Sequence, residues 1–89
     1  MIFFARGEIE AEQFDEALQT RLSARRSKEV RIITELFLVG QPEVVAVFEA
    51  DTVEEVMQFI EPYRHLGTFE IYPAVSTEQA SSLFGDRAG

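Results

Sequence analysis

Eighty-nine residues make one domain with a modest core, since a chain of this size buries roughly 60–65% of its unfolded surface. Sixteen acids against eight bases give a net charge of −8, which disfavours nucleic acid and anionic membranes as partners, and no apolar run reaches the ~20 residues of a bilayer span. Cysteine is absent and histidine single, so disulfides and a zinc site are not expected, no cofactor is implied, and a cytoplasmic setting is the default.

The opening "MIFFARGEIE" lacks a basic n-region and a small-residue cleavage site, and reads as a strand and not as a signal peptide. Residues 1–7 are rich in Phe and Ile, and Gly7 is expected to close that first strand. From Ala11 to about Arg25, Phe14, Leu18 and Leu22 recur at helical spacing, with Ala11, Ala17 and Ala24 nearby. Acids early in this segment and bases late match the helix dipole. Arg21, Arg25, Arg26, Lys28 and Arg31 crowd its end. They read as a helix C-terminus, with an anion site as the alternative.

"VRIITELFLVGQPEVVAVFEA", residues 30–50, gives strands two and three around a Gly-Gln-Pro-Glu turn. A second helix follows, with Thr52 and Glu55 as a capping box, or Asp51 and Glu54 one residue earlier. Val53, Val56, Met57 and Ile60 form its apolar stripe, and Pro62 ends its regular part. "GTFEIYPAV" is a fourth strand whose Pro73 demands an edge or a strand end. "STEQASSLF" is a short helix capped by Ser76 or Thr77, and residues 85–89 are expected to fray, leaving 1–84 as the domain. The order β-α-β-β-α-β with right-handed crossovers predicts an α+β ferredoxin-like plait: a four-stranded antiparallel sheet, order 4-1-3-2, with both helices on one face.

The hairpin has two possible registers. One leaves a carboxylate, Glu35 or Glu49, under the helices, where an unpaired charge is costly. The other gives a clean core face of Ile32, Thr34, Leu36, Leu38, Val44, Ala46, Phe48 and Ala50, and is the one expected. It collects Arg31, Ile33, Glu35, Phe37, Val45, Val47 and Glu49 on the second face. Arg6 would draw Ile2 and Phe4 there too, and strand four adds Thr68, Glu70 and Tyr72. So much apolar area exceeds an ordinary monomer patch, and a second copy of the sheet is the economical cover.

The plait, the length and the ending "FEIYPAV" before a short helix make the whole chain resemble the dimeric α/β-barrel superfamily. It is similar to small muconolactone-isomerase-like proteins and related bacterial domains of unknown function. The resemblance implies a homodimer with two sheets facing into a barrel, often around a small-molecule cavity. In some members it implies cofactor-independent monooxygenase or isomerase activity, here on a small aromatic or acidic metabolite. The isomerases carry a Trp-rich second strand, and this chain has no Trp, so no catalytic residue is carried over.

Candidate chemistry rests on Glu35, Glu49 and Glu70, which on one sheet face could surround a cavity where desolvation raises a carboxylate toward proton-transfer range. The bland alternative is a solvated rim. Arg31, Phe37, Val47 and Tyr72 are the expected ligand-binding residues. His65 reads as a surface or helix-end residue in preference to an acid/base group or metal ligand. The expected partners are a second copy and a small molecule.

Overall fold

The computed structural model describes residues 1–23 and 30–88, with side chains described up to Gly85. Four strands, β1 (Ile2–Ile9), β2 (Arg31–Phe37), β3 (Glu43–Glu49) and β4 (Gly67–Ala74), form one antiparallel sheet in the order β2-β3-β1-β4. This is the predicted order read from the other edge, and the fold is a ferredoxin-like α+β plait. Pro73 falls on the edge strand β4, where its missing amide costs no ladder bond. β1 does not stop at Gly7 but continues to Ile9, because the ring of Phe69 on β4 lies directly over Gly7. A Cβ there would meet that ring at 2.3 Å.

The first helix begins as a 3-10 turn, Ala11–Gln13, and continues as α1 (Phe14–Ser23). Its expected end near Ala24 and Arg25 lies outside the described residues, as do Arg26 and Lys28. Ala17 is buried and Phe14 and Leu18 half-buried, but Leu22, expected in the stripe, is exposed. α2 (Val53–Ile60) is capped by Thr52, whose hydroxyl accepts from the Glu55 amide at 3.1 Å. It buries Val56 and Ile60 but leaves Val53 and Met57 in solvent, so its buried stripe is narrower than the spacing suggested. At Pro62 the helix tightens into a 3-10 segment, Glu61–Leu66, which carries Tyr63 and Leu66 into the core. A terminal helix, α3 (Thr77–Ala88), includes most of the tail expected to fray.

The core lies between the sheet and α1, α2 and the 3-10 segment. Phe3 and Phe48 stack at 5.8 Å, Phe48 meets Phe59 at 4.8 Å, and Phe59 meets Tyr63 at 6.3 Å. Phe48 and Leu66 have no solvent exposure, and burial of such side chains stabilises by ~1.5–3 kcal/mol each.

The hairpin corrects the expected faces. Arg31 opposes Glu49 and Ile32 opposes Phe48, but Thr34 opposes Val47, so the register shifts at Ile33. This bulge places an extra residue on β2 and reverses the faces beyond it. Ile32 keeps its core place. Thr34 and Leu36, assigned to the core, turn to the open face. Glu35 and Phe37, assigned to the open face, turn under the helices. The bulge lets Phe37 meet Phe14 of α1 edge-on at 5.4 Å, and its consequence is a Leu36 that stays 55% exposed.

Candidate functional site

A cavity of about 60 Å³ opens between the sheet and the helices. One water needs ~10–15 Å³ by this measure, so the space exceeds a single solvent molecule. Its walls are apolar: Ala5, Val44 and Ala46 from the sheet, Ala17 from α1, Phe59 and Ile60 from α2. Among the described residues, three polar side chains reach it: Arg21, Glu35 and Tyr63.

Each of the three is set there by local structure. Arg21 is one helical turn beyond the buried Ala17, on the same face of α1. Glu35 is turned inward by the bulge at Ile33. Tyr63 is positioned by the 3-10 turn after Pro62, three residues beyond Ile60. Arg21 Nε donates to Glu35 Oε2 at 2.6 Å, and the guanidinium lies 5.7 Å from the centre of the Phe59 ring. The two side chains are only 12% and 28% exposed, so the carboxylate that sequence alone argued against burying is buried with a partner. For Arg21, burial lowers the pKa, but the Glu35 hydrogen bond and charge outweigh it, and the net shift is upward. The Tyr63 hydroxyl is buried, and its own O–H finds no acceptor among the described residues, while the Arg21 guanidinium lies near enough to its oxygen to act on it as a donor. Burial raises its pKa, against a smaller lowering by Arg21, so it remains a protonated donor at neutral pH.

The other sequence candidates lie on the open sheet face. Tyr72, Phe4, Val47 and Thr34 form one row across the four strands. Arg31 and Glu49 pair in the next row, and Arg6 donates to Glu70 at 3.1 Å and lies 3.5 Å from Glu43. The Tyr72 hydroxyl donates to Glu70, and that bond, then Arg6, lowers the Glu70 pKa. Glu49, Glu70, Arg31, Val47 and Tyr72 therefore share one face, while Glu35 and Phe37 belong to the other, and the three carboxylates do not converge. Lowering at Glu70 is also opposite to the shift expected of a desolvated proton carrier. His65 is exposed at the end of the 3-10 segment and bonds Glu16 at 2.8 Å, as a surface residue does. Arg21 and Arg31, the described members of the basic stretch, are both paired with carboxylates.

Tyr63 is absent from the sequence candidates, and Arg21 enters there only as a member of the basic stretch with its alternative anion site. Both carried a signal: Arg21 by its four-residue spacing from Ala17, and Tyr63 by a three-residue period, Ile60-Tyr63-Leu66, that continues through Pro62.

Residues 1–87 match a family profile described as "Domain of unknown function (DUF3303)". The chain belongs to this family. Among curated proteins, none matches it significantly. Two solved structures share the DUF3303 chain's fold, and a third is more distantly similar. SCO4226 from Streptomyces coelicolor A3(2) is 17% identical with a TM-score of 0.54, over 86% of this chain and 99% of that one. Atu4242 from Agrobacterium tumefaciens is 12% identical with a TM-score of 0.50, over 86% and 96%. A proposed antibiotic biosynthesis monooxygenase from Deinococcus radiodurans is 12% identical over 85% and 93%, with a TM-score of 0.45. Among the described residues, no helix is long and apolar enough to cross a membrane.

Proposed function

We propose that this DUF3303 protein binds a small, largely apolar molecule bearing one hydrogen-bond acceptor, in the cavity beneath its helices. The observation that carries the reading is the Tyr63 hydroxyl, buried in an apolar cavity beside the Arg21–Glu35 pair with no acceptor for its proton among the described residues. An unmet buried hydroxyl costs ~1–3 kcal/mol, and a ligand acceptor at that point recovers it. Apolar walls with a few polar groups are what a small-ligand site requires. A space between two sheets, lined by Val47 and Tyr72, is the weaker location, because Glu35 and Phe37 no longer face it.

The working unit is a homodimer. Phe4, Val45, Val47 and Tyr72 form an apolar band on the open face, and self-pairing covers it by a two-fold axis. The cysteine-free composition suits a cytoplasmic setting. A cofactor-independent monooxygenase or isomerase is the enzymatic form of the same site, with Tyr63 as proton donor beside Glu35 as acceptor.

Calorimetric titration with phenol, benzoate and cyclohexanone tests the binding reading. Cyclohexanone or phenol should bind, and Tyr63→Phe should weaken it about 10-fold, the worth of one hydrogen bond. Equal binding by the Phe variant, or no binding by any of the three, would contradict the site.

A further inference from the structure

We infer that α3 is an exchange arm, which docks its Leu83–Phe84 side on a second copy of this chain; this rests on the homodimer of the proposed function. Three observations support it. The first is that α3 makes no substantial packing with any other described element. Leu83 is 62% and Phe84 55% exposed, and Val75, in the connection before the helix, is 47% exposed. Ala80, Leu83 and Phe84 follow the i, i+3, i+4 spacing of a buried stripe, yet in the single chain Ala80 is only half-buried and Leu83 and Phe84 face water.

The second observation is that the helix is locally well specified. The Ser76 hydroxyl accepts from the Gln79 amide at 3.1 Å, and the Gln79 side chain accepts from the Ser76 amide at 3.0 Å. This reciprocal capping box starts the helix firmly. It cannot by itself sustain twelve residues that include Ser81, Ser82 and Gly85, because isolated helices of this length are marginal in water. A cap at the start and an apolar stripe beyond it describe a helix that is completed by packing, and the described elements of its own domain supply little of it.

The third is shape and area. The Cα radius of gyration is 14.8 Å and the longest extent 49 Å. A compact domain of this length has a radius of gyration of ~12 Å, so the arm extends the molecule. The open sheet face, four strands at ~4.8 Å spacing and about seven residues at ~3.4 Å rise, has a footprint of roughly 450 Å². A standard interface buries ~800 Å² of accessible surface on each partner, a measure larger than the flat footprint of the same patch. Only the upper rows of the sheet face are apolar, since its lower rows carry Glu8, Glu43, Glu70 and Arg6, and that apolar part alone is small for a stable pair. An arm of ~18 Å from each copy supplies the missing apolar area. It has a receiving surface continuous with that face: Ile33 and Leu36 on the edge strand β2 are 49% and 55% exposed. Two-fold symmetry uses each arm and each receiving edge once, which closes the pair without leaving a free arm to chain further copies.

The experiment compares three chains by sedimentation equilibrium: the full chain, a truncation after Ser76, and Leu83→Ser/Phe84→Ser. Far-ultraviolet circular dichroism and a cooperative thermal transition check that each plait is folded. The full chain should sediment at about twice 10.1 kDa. Both variants should keep a folded plait and dissociate at least ~100-fold more readily, since four large apolar side chains leave the interface. A full-length dimer whose folded variants dimerise equally well would overturn the arm and leave the sheet-face dimer standing. A full-length monomer at micromolar concentration would overturn both. Should the truncation fail to fold, the double serine variant, which retains the whole backbone, decides the question.

Discussion

Replacing Glu35 by Ala should destabilise the protein by ~2 kcal/mol, and the value follows from where the bulge puts that residue. Removing one partner of a fully buried ion pair costs ~3–5 kcal/mol, because the survivor is left charged and unpaired in a medium that solvates it poorly. Here the survivor is Arg21, whose side chain is 12% exposed, and Glu35 itself is 28% exposed, so water recovers part of the loss. Urea unfolding at fixed protein concentration measures it. With an m-value of ~1–2 kcal/mol/M for a chain of this size, the midpoint falls by roughly 1–2 M. Arg21→Met should cost less, since Glu35 is the more accessible partner. Arg21→Met/Glu35→Leu should recover most of the Glu35→Ala loss, as an apolar pair replaces a charged one, with a coupling of at least ~1 kcal/mol. Were Glu35 on the open face, its removal would cost under ~0.5 kcal/mol and the two substitutions would simply add. That result would refute the bulged register and the site built on it.

Tyr63→Phe should leave stability at pH 7 unchanged or raise it by up to ~1 kcal/mol, because it deletes a buried hydroxyl whose proton has no acceptor among the described residues. The same variant should flatten the alkaline limb of stability. Burial raises the folded pKa of Tyr63 above 10.0, so the unfolded state loses its proton first, and stability present below pH 10 declines as pH rises through the folded value. Glu70 shifts the other way: its pKa is held below 4.5 by Tyr72 and Arg6, so its contribution is present above that value and is lost on acidification, and Glu70→Gln should reduce the acid sensitivity of the melting temperature. Gly7→Ala places a methyl against the Phe69 ring and should cost ~1–3 kcal/mol in urea unfolding. Thr52→Ala removes the α2 cap and should cost ~1 kcal/mol in the same assay.

The topology was legible because each element carries its own period and punctuation: the capping residues of α2 and α3, Pro62, Pro73 and the apolar strands. The faces of β3, Phe4 and Arg6 on the open side, and Ile32 under the helices also follow from alternation. What alternation does not encode is a bulge. "RIITELF" reads equally well as an unbroken strand, and the extra residue at Ile33 is chosen by contacts distant in sequence, the Phe14–Phe37 pair and the Arg21–Glu35 pair. An unpaired charge at Glu35 would be costly to bury, and the partner that offsets this cost lies on α1, fourteen residues away. The same distance hid the site, since Tyr63, Arg21 and Glu35 come from three separate elements.

A crystal soaked in phenol or cyclohexanone should show ordered density for the compound beneath the helices, within hydrogen-bond distance of the Tyr63 hydroxyl and against Ala17, Val44 and Phe59. Density confined to the open sheet face beside Val47 and Tyr72, or a cavity closed by repacked side chains with no compound inside, would contradict this site.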